Sequence, residues 1–271
     1  MNDVIVTPPK PSGVKRRKAR DTIHRLTLLL AVVTPLFFIV AALGAKFGIW
    51  SWQFGLGTLT RGVGMKLLMG CLGFGVLAII ATAIVTPRKG WWVGALALIV
   101  GLAGMAKGAA TQKKVAAIPF IHDVTTDTQN PPTFTEVILA ERAKVKGVNT
   151  LDYIGKKDKR EGKLVSALQS KAYPAVRPLV LEDSPEVVFG EALMIAKSMG
   201  WDIKAQDAAT GKIEATATTF WYGFEDDVVI RIRPSEGGGA IVDARSVSRV
   251  GGSDLGANAD RVKAFLAKLG G

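Results

Sequence analysis

The stretch EDDVVIRIRPSEGGGAIVDARSVSR, Glu225–Arg249, decides the fold of the C-terminal half of this chain. Two runs with apolar residues at alternate positions flank SEGGG, residues 235–239, which is the pattern of two antiparallel strands joined by a glycine-rich turn. Placing Ile232 opposite Val242 and Ile230 opposite Ala244 sets Arg231 beside Asp243 and Glu225 beside Arg249 on the other face. Apolar pairs and opposite charges select the same register, and a slip of one residue would reverse both faces.

The neighbouring sequence extends this hairpin into a sheet. WDIKAQ puts Trp201, Ile203 and Ala205 on one face, ATGK forms a turn, and KIEATATTF puts Ile213, Ala215 and Ala217 on one face. AVRPLVL, residues 175–181, reads as a further short strand. SPEVVFGEALMIAKSMG carries a complete helix signature, with Ser184 as cap, Pro185 in the first turn, Glu186 at the positive end of the dipole and Gly200 as terminator. Val188, Ala192, Ile195 and Met199 form its apolar stripe. NADRVKAFLAKLGG is an amphipathic helix with Val262, Phe265, Leu266 and Leu269 on the inner face. EVILAERAKVKG predicts a short helix, GKKDKREGKLVSALQSKAYP a solvated mixed-charge tract leading into another, and IPFIHDVTTDTQNPPTF, residues 118–134, an extended segment packed along the domain. The expected domain is α+β, one antiparallel sheet with helices on one face.

Composition divides the chain in two. A mean hydropathy of +0.26 coexists with a net charge of +12 over 271 residues, because residues 1–106 hold 12 Lys or Arg against 2 Asp or Glu while the remainder is nearly balanced at 23 against 21. The basic excess therefore lies in the hydrophobic third and gives no support to nucleic-acid binding. Leu26–Ala45 and Leu67–Thr86 are uncharged runs long enough to span a bilayer, and the shorter run Trp91–Ala106 begins with two tryptophans suited to the interface. No acidic residue interrupts these runs, which argues against an ion pathway. Pro35 predicts a kink, and the one cysteine, Cys71, is expected to pack in the second helix near Gly75.

Seven basic residues from Lys10 to Arg25, with Arg88 and Lys89, stand against Lys46, Arg61 and Lys66 in the other connection. This bias places the N-terminus in the cytoplasm and, after three crossings, the C-terminal domain outside, in the periplasm of a Gram-negative bacterium. A cleaved signal peptide ending near AALGA fits less well with the long basic region and two further spans. The expected organisation is a basic cytoplasmic tail (1–22), three transmembrane helices (23–106) in the inner membrane, a linker (107–116) and a periplasmic domain (117–271).

IHDVTTDTQNPPTF and DARSVSRVGGSDLGANADRVKAFLAKL resemble the signature stretches of the family catalogued as domain of unknown function 1499, over roughly residues 117–271. The resemblance is to members in which the domain follows membrane helices, and it implies no activity.

Three sets of residues carry site chemistry. Ser246 and Ser248 point toward the helices, where Asp254 and Asn258 begin the last one; they form either a self-satisfied strand-to-helix junction or a small anion pocket at a positive helix end. Arg245 and Arg249 fall on the opposite, open face among Glu225, Asp227 and Asp243, which reads as a solvated charge ladder in preference to an anion site. TTFWYGF brings Phe220, Trp221, Tyr222 and Phe224 together, as core or as a partner or lipid contact. His122 beside Asp123 and near Asp127 is the remaining set, without the spacing of a metal site or a recognisable nucleophile. No cofactor, catalytic residue or metal ligand is implied. The expected function is a non-catalytic binding or interaction module contacting lipid, an envelope component or a membrane-protein partner. The alternative is a membrane-tethered hydrolase-like enzyme using His122 and Asp123, or the region of Ser246 and Asn258. A concave polar pocket holding His122 or Asn258, as opposed to a flat face, is the feature that separates the two.

Overall fold

The computed structural model describes residues 11–271, which divide into two compact units between Gln112 and Lys113. Lys10 and the first part of the basic tail lie outside the described residues.

In the first unit, α1 (Pro11–Lys46) is followed by a π-helical segment (Gln53–Gly64) that runs into α2 (Met65–Ile84), and then by α3 (Trp91–Ala117). All three helical stretches are long and apolar enough to cross a membrane, the one open-ended element that satisfies its backbone within itself in hydrocarbon. α3 continues through residues 107–116, where a linker was expected. Small residues let α2 and α3 approach closely: a Cβ on Gly94 would stand 2.7 Å from the Gly75 carbonyl oxygen. Cys71 is fully buried with its Sγ 3.3 Å from Thr34 Oγ1, the packing role its position in the second span suggests. Arg17 and Arg20 donate to the Thr86 and Pro87 carbonyls at 3.0 and 2.5 Å, so the basic first turns of α1 and the connection from α2 to α3 lie at one end of the helical unit.

The second unit is an α+β domain whose antiparallel sheet has the order β1-β6-β5-β4-β3, with β2 beside β1 on the same edge of β6. Its strands are β1 (Asp123–Thr125), β2 (Leu179–Leu181), β3 (Asp202–Asp207), β4 (Lys212–Thr218), β5 (Glu225–Pro234) and β6 (Ala240–Ser248). β5 and β6 pair in the expected register, Ile232 with Val242, Ile230 with Ala244 and Arg231 with Asp243. α4 (Glu136–Ala143), α5 (Val165–Ala172), α6 (Pro185–Ser198) and α7 (Ala257–Leu269) complete the domain. Gln169 of α5 exchanges two side-chain bonds with the Thr125 backbone, at 2.9 and 2.7 Å, and so satisfies the edge of β1 as another strand would.

α6 and α7 cover one face of the sheet. Val188, Ala192 and Ala196 of α6 and Val262, Phe265 and Leu269 of α7 close over Ile213, Ala215, Val228, Ile230, Val242 and Ala244, and Trp201 packs on Phe265 with ring centroids 5.5 Å apart. Ile195 and Met199, expected at the centre of the α6 stripe, flank it as partly buried residues, with Ala196 on its axis. Ala205 also departs from expectation. A bulge between Ile203 and Ala205 changes the alternation, so Ala205 pairs with Glu214 and leaves the face of Ile203.

The opposite face is not open. Residues 126–151, including α4, lie across it, and Phe134 and Ile138 pack on Val229 and Val247 to form a second core. The solvated ladder expected there is therefore corrected: Asp227 and Asp243 are fully buried, and Arg245 and Arg249 are 2% and 4% exposed. The alternating sequence identified the polar face correctly but could not reveal its cover, because the covering segment is irregular apart from α4 and the short helix signal does not say where that helix packs.

Candidate functional site

Each buried charge on the covered face has a partner. Arg249 makes charge-assisted bonds to both oxygens of Asp227, the closest at 2.8 Å, and an ion pair with Glu225. Arg142 of α4 reaches Asp227 at 2.7 Å, and Thr216 donates to the same carboxylate at 3.0 Å. Arg245 grips Asp123 with both arms, at 3.0 and 2.8 Å, and donates to the Pro132 and Leu151 carbonyls. Asp243 accepts from Arg231, Arg233 and Thr126, and Glu214 accepts from the Thr135 amide and hydroxyl at 2.5 and 2.6 Å. This layer ties the segment over the sheet in place; a buried charge left unpaired would cost far more than an exposed one.

The strand-to-helix junction is equally self-contained. Ser246 Oγ donates to Asn258 Oδ1 at 2.7 Å, while Asn258 Nδ2 donates to Ser248 Oγ and the His122 carbonyl at 3.0 and 3.1 Å. Arg261 reaches Ser246, Asn258 and, at 2.6 Å, Asp226. Asp254 accepts from the amides of Gly256 and Asn258 at 2.8 and 3.0 Å, closing the first turn of α7. Burial raises the Asp254 carboxyl to about 6, against the lowering effect of those two amides. Ser246, Ser248, Asp254 and Asn258 thus come together, whereas Arg245 and Arg249 lie on the other side of the sheet.

The aromatic turn between β4 and β5 stands apart from both. Phe220 and Trp221 are 68% and 48% exposed, packed edge to face with centroids 4.9 Å apart, and Tyr222 stacks on Phe224. Tyr222 adopts a left-handed backbone, φ 59°, a conformation costly for a bulky residue.

One concave feature of the domain is a cleft of about 260 Å³, formed where the segment before β1, the loop after α4, the 156–159 tract and Gly251–Gly252 converge. His122, Lys156, Lys157 and Lys159 line it. Lys156 Nζ lies 3.2 Å from His122 Nε2 and donates to the Thr150 carbonyl at 3.1 Å. His122 Nδ1 faces the Gly252 carbonyl at 3.4 Å. Since a carbonyl can only accept, this contact assigns the proton to Nδ1 and leaves Nε2 to accept from the ammonium. Burial and the adjacent Lys156 hold His122 below the usual imidazole range, and burial likewise lowers Lys156. The carboxylates of the lining are engaged elsewhere: Asp123 binds Arg245, and Asp158 accepts from the amides of Arg160, Glu161 and Lys163 at 2.8–2.9 Å. Among the described residues no carboxylate hydrogen-bonds to Lys156, and no group of three or more His, Cys, Asp or Glu could hold a metal.

A family model described as a protein of unknown function (DUF1499) matches residues 123–269. The chain belongs to the DUF1499 family. No curated protein matches it. In this DUF1499 protein the matched span contains the buried ionic layer, the Asn258 junction and the three cleft lysines, and begins one residue after His122. His122 stood out in the sequence; Lys156 did not, because GKKDKREGK has the composition of a solvated loop. Arg142 and Glu214 escaped notice as single charges, Glu214 on the strand face that lies opposite Ile213 and Ala215 and reads as solvated.

Proposed function

We propose that this DUF1499 protein is a membrane-anchored binding module, its C-terminal domain on the extracytoplasmic side and without catalysis of its own. The observation that carries the reading is the His122–Lys156 cleft, a concavity rich in cations whose carboxylates are already bound. Such a site attracts and holds an anion. Its lining contains no serine, threonine or cysteine, so the hydroxyl and thiol nucleophiles of a hydrolase are missing from it. The ligand is an anionic component of the envelope or membrane. The nine-to-three distribution of basic residues around the three apolar helices supports a cytoplasmic N-terminus and a periplasmic domain at a bacterial inner membrane.

A second reading, a tethered hydrolase-like enzyme, is favoured by the presence of His122 in a polar cleft. One experiment separates them. The full-length protein is incubated with an aqueous and lipid extract of its own membrane, washed, and the retained compounds weighed by mass spectrometry. Retention of an anionic compound at unchanged mass supports binding. Its disappearance with stoichiometric product formation supports the enzyme and overturns the proposal, as does retention of nothing.

A further inference from the structure

We infer that the cleft between His122 and Lys156 receives a phosphate group, an inference that rests on the binding reading above and names the ligand chemistry of the same site. The charge arrangement comes first. Lys156, Lys157 and Lys159 line one hollow, and the charges of Lys156 and Lys159 both bear on His122, while Asp123 and Asp158 are bonded elsewhere. Lys157 and Lys159 enter no ion pair among the described residues. The other charges that act on Lys156 are Asp152, Arg142 and Arg245, of which both arginines are buried in bonds to Asp227 and Asp123. A single carboxylate ligand would leave this excess partly uncompensated. A phosphate monoester carries close to two negative charges at neutral pH and three acceptor oxygens, and the compact lysine ammonium binds it as a point charge.

Size points the same way. The cleft's volume of about 260 Å³ has room for a phosphate group and part of its hydration shell. The occupant is then either a free phosphate compound or the headgroup of a lipid whose tails stay outside. Opposite the lysines, Gly251 and Gly252 line the cleft without side chains, and Gly251 needs its freedom because its φ is +89°. The half-buried Lys156 ammonium next to a neutral imidazole also couples binding to protons: an anion that replaces their direct contact and touches both stabilises the charged form of each, so binding is linked to proton uptake by His122.

The experiment uses the full chain in phosphate-free maltoside micelles, with the His122 ring followed by NMR through a pH titration. The chain's two histidines make the assignment tractable, His24→Gln identifying the other. One arm adds inorganic phosphate to about 10 mM, in the millimolar affinity range, against chloride of equal ionic strength; the second dopes the micelles with phosphatidic acid. The expected result is an upward move of the His122 midpoint by about half a pH unit or more in at least one arm. A response to phosphatidic acid alone identifies a lipid headgroup, and a response to inorganic phosphate identifies a free phosphate compound. Lys156→Gln should weaken the response about ten-fold, and Lys159→Gln, an exposed residue that leaves the fold intact, about three-fold. A midpoint that stays put in both arms, or moves equally with chloride, overturns the phosphate assignment. An unchanged anionic compound retained from the membrane extract would in that case leave the binding reading standing; retention of nothing would remove both.

Discussion

Arg245→Ala tests whether the polar face of the sheet is interior. The substitution removes a guanidinium that makes two bonds to Asp123 and donates to the Pro132 and Leu151 carbonyls, and that also lies over the Phe134 and Tyr153 rings at 5.8 and 5.7 Å. Asp123 is itself 1% exposed, so truncation strands a buried carboxylate. Removing one partner of a buried pair costs about 3–5 kcal/mol, whereas an exposed pair contributes about 0–1 kcal/mol. For a unit the size of Lys113–Gly271, each kcal/mol moves the midpoint by about 2–4 °C, giving an expected drop of roughly 6–20 °C. Calorimetry of the full chain in detergent reads this as the transition of the C-terminal unit. Adding Asp123→Asn to the same variant should recover part of the loss, because the stranded group becomes neutral. A drop of no more than about 4 °C, the range for an exposed pair, would refute the buried arrangement.

Three further outcomes follow from the junction, the titrating groups and the membrane helices. Asn258→Ala leaves Ser246, Ser248 and Arg261 without their shared partner and should destabilise the unit by about 1–3 kcal/mol, measured by the same calorimetry. His122 and Asp254 act oppositely on stability in mildly acid solution. The lowered His122 pKa contributes stability that is present above the unfolded value and lost as pH falls through the folded one, whereas the raised Asp254, at about 6, contributes stability present at low pH and lost as pH rises through about 6. In phosphate-free buffer His122→Gln should therefore flatten the fall in melting temperature below pH 6.5, and Asp254→Asn should remove the decline between about pH 4 and 6; unchanged profiles would contradict the burial of either group. A reporter active only outside the cytoplasm should work when fused after Gly271 and fail when fused beside Lys89, and the reverse pattern would overturn the orientation.

The sequence was most informative where periodicity and chemistry coincided. The β5–β6 register was legible because apolar pairs and salt-bridge pairs independently required it, and α6 because its cap, first-turn proline and terminal glycine are local signals. The three apolar helices were legible from length alone. What could not be read was the cover over the second face. Residues 126–151 are irregular apart from the short α4, and the charges they bury, Asp123, Asp227, Arg245 and Arg249, look individually like surface residues. Their near balance of sign suggested a ladder in water and was equally compatible with a neutralised interior layer; only the position of Phe134 and Ile138 distinguishes the two. The cleft was half legible. His122 drew attention as a rare residue type beside carboxylates, yet its partner is Lys156, far from it in sequence and followed by a local turn in which Asp158 gathers three amides.

The central claim is that the His122–Lys156 cleft is where this protein meets its ligand, and photocrosslinking in living cells tests it most directly. A diazirine-bearing lysine analogue that keeps the ammonium is placed at Lys157 on the cleft rim, and in separate strains at Trp221 in the exposed aromatic turn and at Val180 on β2, which is 65% exposed. After irradiation, mass spectrometry of the protein's peptides should show a discrete adduct of an anionic compound at position 157, abolished by Lys156→Gln and absent at positions 180 and 221. Adducts at position 221 with none at 157, or equal labelling at all three positions, would contradict the account.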